Sequence, residues 1–258
     1  MNKKMRFLAV PALALGAVAM AGSPALAADG SYSSTLGQLN GTTGTGTVTV
    51  DVTGDQAKVN LQVSGLAETF MDGPYPHVQH VHGNAMGTCP TPADDADGNG
   101  IVSTTEAASR YGDILTTLTT SGDTTPAAAL NLELGGQGGS YSIERTITID
   151  EAQQKSLEAG NSVVVVHGLD PATAGVSEEV FGSPSDLDPK LPLGATSPAL
   201  CGTLVKGQMA AMPEGGADTG VATENSSSTG MIALGGGLVL AAAAGGTYMV
   251  RRRAAHNA

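Results

Sequence analysis

Between His77 and Gly83 the chain reads His77-Val78-Gln79-His80-Val81-His82-Gly83, so seven residues hold three of its five histidines. A neutral imidazole offers a nitrogen lone pair to borderline-soft ions such as copper and zinc. On a strand, side chains alternate, which places His80 and His82 on one face and His77 and Gln79 on the other. Two imidazoles on one face make part of a copper or zinc site, and the third ligand has to come from another strand. His167, at the end of Val163-Val164-Val165-Val166, is the distant candidate. The alternative is that these are structural histidines of a sheet. His77, on the opposite face, is not expected to be a ligand.

A few residues later the donors become hard. The run Asp95-Ala96-Asp97-Gly98-Asn99-Gly100-Ile101-Val102-Ser103-Thr104-Thr105-Glu106 fits the calcium-loop template at each constrained position. Asp95 takes position 1, Asp97 position 3, Asn99 position 5 and Gly100 the turn. The Ile101 carbonyl takes position 7, Ser103 position 9, and Glu106 closes the loop at position 12. Calcium needs about six to eight oxygens, and this spacing wraps them around one point. The alternative is a solvated acidic loop. Cys89-Pro90-Thr91-Pro92 excludes a helix before the loop, whereas Thr105 to Tyr111 can start a short one after it.

The surrounding elements read as strands. Val48 and Val50 alternate with polar residues, Gly54-Asp55 makes a turn, and Val59, Leu61 and Val63 alternate again, which predicts an antiparallel hairpin with one polar face. The same texture returns at 114–120, 141–149, 163–167 and 200–205. Seven or eight short strands with Gly-rich turns predict an all-β sandwich or barrel. One short helix is expected between strands, opened by Asp150-Glu151-Ala152-Gln153 and stopped by Gly160.

Both ends read as targeting segments. Residues 1–27 have a basic start, an apolar run and Ala25-Leu26-Ala27 as a cleavage site, which predicts an export signal. Residues 28–206 then form the β domain, and 207–230 are a stalk rich in Gly, Ala, Ser and Thr. Residues 231–250 carry no charge and match the length of a membrane-spanning helix, and 251–258 begin with three arginines, which are expected to stay in the cytoplasm. The domain is thus expected outside the cell, on a single-pass anchor. Six of the twelve Lys and Arg residues lie in the terminal segments and all 24 acidic residues lie between them, so the exported part carries 6 − 24 = −18. Such a surface excludes nucleic acid and favours metal ions; no protein partner is named by it. Two cysteines in an exported chain predict one disulfide, Cys89 with Cys201.

Three segments together resemble a known fold. His80-Val81-His82-Gly83, Val164-Val165-Val166-His167-Gly168 and Ala199-Leu200-Cys201-Gly202 are similar, in this order, to landmarks of the copper/zinc superoxide dismutases. The wider stretch from Tyr32 to Val205 resembles secreted bacterial CHRD (chordin-type) domains, which look like relatives of that fold. The resemblance implies a Greek-key architecture, a disulfide from the loop after the His-x-His strand to the last strand, and a copper site of His80, His82 and His167. It also implies what this chain lacks. There is no histidine between Gly83 and Val166 to hold zinc, and Pro198-Ala199-Leu200 stands where the dismutases carry an arginine that guides superoxide. The expected function is therefore a metal-binding surface domain without enzymatic turnover, with calcium as cofactor and copper as a second ion. A copper-dependent superoxide dismutase and an adhesion domain are the alternatives. Gly216-Ala217-Asp218-Thr219-Gly220 is similar to sortase signals but lacks their leucine; cleavage after Thr219 is the alternative to a permanent anchor.

Overall fold

The computed structural model describes residues 28–207. The signal, the stalk beyond Gly207, the apolar span and the arginine tail lie outside the described residues. No helix among the described residues is long and apolar enough to cross a membrane.

Eight strands of five or more residues carry the fold: β1 (Gly30–Gln38), β2 (Thr45–Thr53), β3 (Gln56–Ser64), β4 (Gln79–Gly83), β5 (Asp113–Thr117), β6 (Tyr141–Thr148), β7 (Val163–His167) and β8 (Pro198–Thr203). They pair antiparallel in the order β6-β3-β2-β1-β8-β7-β4-β5. The protein is thus mainly β, one antiparallel sheet curled into a half-barrel. Its path is open between β5 and β6, where a Greek-key sandwich or barrel was expected. Arg145 of β6 reaches across that side and donates to the Thr119 carbonyl at 2.9 Å and the Gly122 carbonyl at 2.9 Å.

The β2–β3 hairpin has the alternation that its sequence dictates. Val48 pairs with Leu61 and Val50 with Val59, all buried, while the residues between them mostly face water. By contrast β1 has only Tyr32 and Leu36 as large apolar residues, four apart, and no period-two signal marks it. Tertiary pairing with β2 and β8 makes it a strand.

Four short α-helices occur among the described residues, where one was expected between strands and a short one was allowed after the acidic loop, at α1. They are α1 (Thr104–Tyr111), α2 (Glu151–Glu158), α3 (Glu178–Phe181) and α4 (Leu193–Thr196). The expected helix is α2, with the Asp150 carboxylate capping the Gln153 amide at 2.8 Å. Its capping box is one-sided, because the Gln153 side chain turns inward to Ser162 and Thr116. The other helices are opened by Ser103, Ser177 and Pro192, and α3 and α4, at four residues each, are too short for a periodic signal.

Two apolar layers enclose the sheet. Inside the curl, Tyr32, Leu36, Val81, Val164, Val166 and Leu200 join the β2, β3 and β6 side chains in the main core. On the outer side, Val163, Val165 and Cys201 meet Val102, Ala107 and Tyr111. β7 is therefore buried on both faces, which is why it is a continuous valine run and not an alternating one. The outer layer is pinned by the disulfide Cys89–Cys201, with Cα atoms 5.8 Å apart and a sequence separation of 112. Closing a loop of this length removes about 5 kcal/mol of chain entropy from the unfolded state. Cys89→Ser is therefore expected to lower the melting temperature by about 10 °C or more, a shift that differential scanning calorimetry reads directly.

Candidate metal centre

Cross-strand register assembles the histidines. His80 stands opposite Val165 and His82 opposite Val163, and facing residues of paired strands share a face. His167 continues the parity of Val163 and Val165, so all three rings lie on the outer side of the sheet, away from Val81, Val164 and Val166. Two irregularities adjust their aim. The pairing shifts between Val81 and His82 against β5, and between Val166 and His167 against β8. Such bulges bend a strand and re-aim its side chains.

The rings meet. Ring centroids are 5.0 Å apart for His80 and His167, 5.6 Å for His80 and His82, and 6.2 Å for His82 and His167. One ligand-capable nitrogen from each lies within 4.8 Å of the others. All three residues are at most 2% exposed.

Each ring is held by one backbone carbonyl. His80 Nε2 is 3.0 Å from the Ala129 carbonyl oxygen, His82 Nδ1 2.9 Å from that of Gly112, and His167 Nδ1 2.7 Å from that of Thr196. A carbonyl only accepts, so these nitrogens carry the proton and the tautomers follow. The remaining atoms, His80 Nδ1, His82 Nε2 and His167 Nε2, are buried and have no hydrogen-bond partner. Buried polar atoms are normally satisfied, and three orphaned lone pairs in one cluster fit a metal ion.

Burial first, and then the mutual repulsion of positive charges, keeps these rings neutral. His80 is held well below the usual imidazole value by desolvation and by His167 and His82. His82 is pulled down to about 3 by desolvation and His167, against the Gly112 carbonyl. His167 is pulled down to about 4 by desolvation, against the Thr196 carbonyl and the Asp186 carboxylate. A neutral imidazole is the metal-binding form.

His77 is buried on the other side, with Nδ1 2.9 Å from the His167 carbonyl oxygen and Nε2 3.1 Å from that of Ala67. Both of its nitrogens abut backbone carbonyls, so neither is open to an ion. It instead braces the backbone of a triad residue. Gly168, at φ +101°, leaves room for it, since a Cβ there would lie 2.8 Å from His77 Nδ1.

The acidic loop lies next to this cluster in the chain. Asp95, Asp97 and Glu106 bring one oxygen each within 4.8 Å of one another. Backbone amides fold the loop inward: Asp95 accepts from Gly98 and Gly100, Asp97 from Asn99, and Asn99 from Ile101. Glu106 accepts from Ala96 at 2.8 Å and from Ser103 at 2.8 Å, and Ser103 is the N-cap of α1. The residue that closes the loop therefore also starts the helix.

Helix α1 joins the two clusters. Its first residue, Thr104, donates at 2.7 Å to the Thr196 carbonyl that holds His167. Tyr111 packs on the His82 ring, with centroids 4.4 Å apart. Its C-cap, Gly112, supplies the carbonyl for His82 from a φ of +86°, and a Cβ there would lie 1.8 Å from the Gly83 carbonyl oxygen. Arg110 in the last turn pairs with Asp94 at 2.8 Å.

Several of these partners carry no sequence signal. The carbonyls of Ala129, Gly112 and Thr196 come from three separate segments, and any residue has a carbonyl. Asn40 was also not singled out from the sequence. Its side-chain amide accepts from the Val102 amide at 2.8 Å and donates to the Val102 carbonyl at 3.0 Å, as a neighbouring strand would.

Fold and site together define a class: an antiparallel β domain with one disulfide and a buried three-histidine cluster under a short helix. The CHRD domain model matches residues 27–171, more than half of the sequence, and the chain belongs to the CHRD domain family. The matched span holds the three histidines, the acidic loop and Cys89, while β8 with Cys201 follows it. No curated protein matches the chain.

In the metal-free chain the triad makes stability acid-sensitive. Each ring binds its proton less tightly folded than unfolded, so its contribution is present above pH 6.5 and is lost as the pH falls toward 4 for His167 and toward 3 for His82. Denaturant titrations are expected to show a loss of about 1.4 kcal/mol per pH unit for each of these rings below pH 6.5. A flat profile between pH 6.5 and 4 would contradict the buried, neutral triad.

Proposed function

We propose that the chain is an exported, membrane-tethered CHRD surface domain that holds copper between His80, His82 and His167 and calcium in the loop 95–106. It acts as a metal-binding module and not as an enzyme. The observation that carries this reading is the set of three buried, partnerless nitrogens, His80 Nδ1, His82 Nε2 and His167 Nε2. Metal–nitrogen bonds of about 2.0–2.1 Å draw three such atoms onto one ion. Copper is favoured because imidazole suits it and it stands highest in the affinity order of the divalent series.

Export is supported by the disulfide, which belongs to an oxidising compartment, and by the leader in residues 1–27. The anchor in residues 231–250 completes the reading, with the alternative of cleavage after Thr219. Calcium is supported by the inward-facing carboxylates of Asp95, Asp97 and Glu106 and by the Asn99, Ile101 and Ser103 positions of the template. The strand order, with β7 beside β4 and β6 beside β3, is that of an open Greek key, and supports kinship with the superoxide dismutase fold.

That kinship favours a copper-dependent dismutase as the second reading. Against it, no Lys or Arg lines the cavity over His80 and His167, and the −18 charge repels an anionic substrate. An adhesion domain that binds calcium alone is the third outcome.

Metal analysis of the protein purified from its native compartment separates these readings. One copper per chain is expected, lost in His80→Ala and His167→Ala, with dismutase activity no greater than that of free copper. A folded chain that takes up no copper would sink the triad assignment, and rapid superoxide turnover would establish the enzyme.

Because α1 joins the two clusters, calcium and copper are expected to be linked. Chelating calcium should lower the melting temperature and weaken copper binding several-fold. Glu106→Gln should do the same, since glutamine keeps the capping bond but loses the charge. Copper affinity indifferent to calcium would disprove the coupling.

A further inference from the structure

The three unpartnered nitrogens sit in surroundings that restrict the ion they can take. His80 Nδ1, His82 Nε2 and His167 Nε2 are each buried from water. The cavity walled by Phe70, Leu132 and Leu191 is lined by His80 and His167 as residues, yet it leaves these atoms covered, so water inside it does not touch them.

No further ligand joins them. Among the described residues no carboxylate and no cysteine belongs to the cluster. The Thr104 hydroxyl lies on the Nδ1 side of His167, at 3.5 Å, and donates to the Thr196 carbonyl at 2.7 Å. The Tyr111 hydroxyl donates to the Thr104 carbonyl at 3.2 Å. An ion drawn between the rings therefore has a triangle of imidazole nitrogens and no position open to water.

Geometry and charge then select the same ion. Zinc is held tetrahedrally and cupric copper in a tetragonal set, so a closed triangle leaves either one short of ligands. Cuprous copper has a filled d shell and is satisfied by a trigonal set. The cost of leaving water grows with the square of the charge, so a dication loses about four times what a monocation loses on entering an apolar interior. The three imidazoles are neutral and offset none of that charge. The carboxylate that acts on the triad is Asp186, through His167. It lies exposed outside the cluster and accepts from the Thr105 amide at 2.7 Å. A single remote negative charge matches a monovalent ion better than a divalent one.

We propose that the triad is a closed, trigonal site for cuprous copper that excludes the cupric ion and zinc. This selectivity rests on the reading of His80, His82 and His167 as copper ligands and adds the charge of the ion. With no position open to an incoming molecule, the copper is held in its reduced form and not cycled.

The test is a set of competition titrations on the intact chain, with calcium saturating so that the acidic loop is occupied. Cuprous copper is offered anaerobically from its bicinchoninate complex with ascorbate present, and cupric copper and zinc are offered from their glycine complexes in air. One cuprous ion per chain is expected to be withdrawn, with an affinity at least about a hundredfold above that for either dication. It should raise the melting temperature, and His82→Ala should abolish the rise. X-ray absorption of the cuprous-loaded wild-type chain needs no variant and should count three neighbours, all imidazole. Cupric copper bound as tightly as cuprous, with nitrogen hyperfine lines in its electron paramagnetic resonance spectrum, overturns the selectivity and leaves the copper reading standing. A fourth neighbour in the absorption spectrum overturns the closed site. A folded chain that takes up neither copper ion refutes the copper reading itself, and the selectivity falls with it.

Discussion

A neutral imidazole has one proton and two nitrogens, and the outer layer of this domain is arranged around where that proton goes. In each of His80, His82 and His167 it points to a backbone carbonyl, which leaves the other nitrogen bare among apolar neighbours. This costs solvation at three atoms, so the arrangement persists only where the surroundings hold it. The carbonyls come from the segment before Leu130, from the end of α1 and from α4, three separate pieces of the chain, of which α1 and α4 are tied by the Thr104 hydroxyl on the Thr196 carbonyl. The bulges in β4 and β7, the disulfide and Gly112 all serve to keep those pieces against the sheet.

The acidic loop belongs to the same construction. Its last carboxylate and its N-cap serine start α1, and α1 ends on the carbonyl that orients His82. A cluster of oxygen donors and a cluster of nitrogen donors thus share one element of eight residues. Neither is remote enough from the other to be adjusted independently, although the donor chemistry of each is complete without the other.

Much of this was legible because it rests on local periodicity. The parity of His80 and His82, the valine strand before His167, the β2–β3 hairpin and the loop template are all fixed by spacing in the chain. β1 escaped because Tyr32 and Leu36 are four apart, so its strand character comes from its partners. The single-turn helices escaped because they are shorter than any period that could announce them. The three carbonyls, the doubled contact of Asn40 with Val102 and the cavity walled by Phe70, Leu132 and Leu191 depend on tertiary placement. The main strands were read as a sandwich or barrel because strand count does not distinguish these from one curled sheet whose β5 and β6 do not pair with each other.

The burial of β7 on both faces bears on how the chain reaches this state. A strand with a solvent face is acceptable half-built, but Val163 to Val166 need the inner core and the outer layer together. The outer layer is tied down by a bond between residues 112 apart, which forms only where both cysteines meet an oxidising compartment. Until then the chain displays four consecutive β-branched residues without charge or proline, the kind of segment that pairs with its like in other molecules. Oxidation is in that sense a safeguard against aggregation as well as a brace for the finished fold.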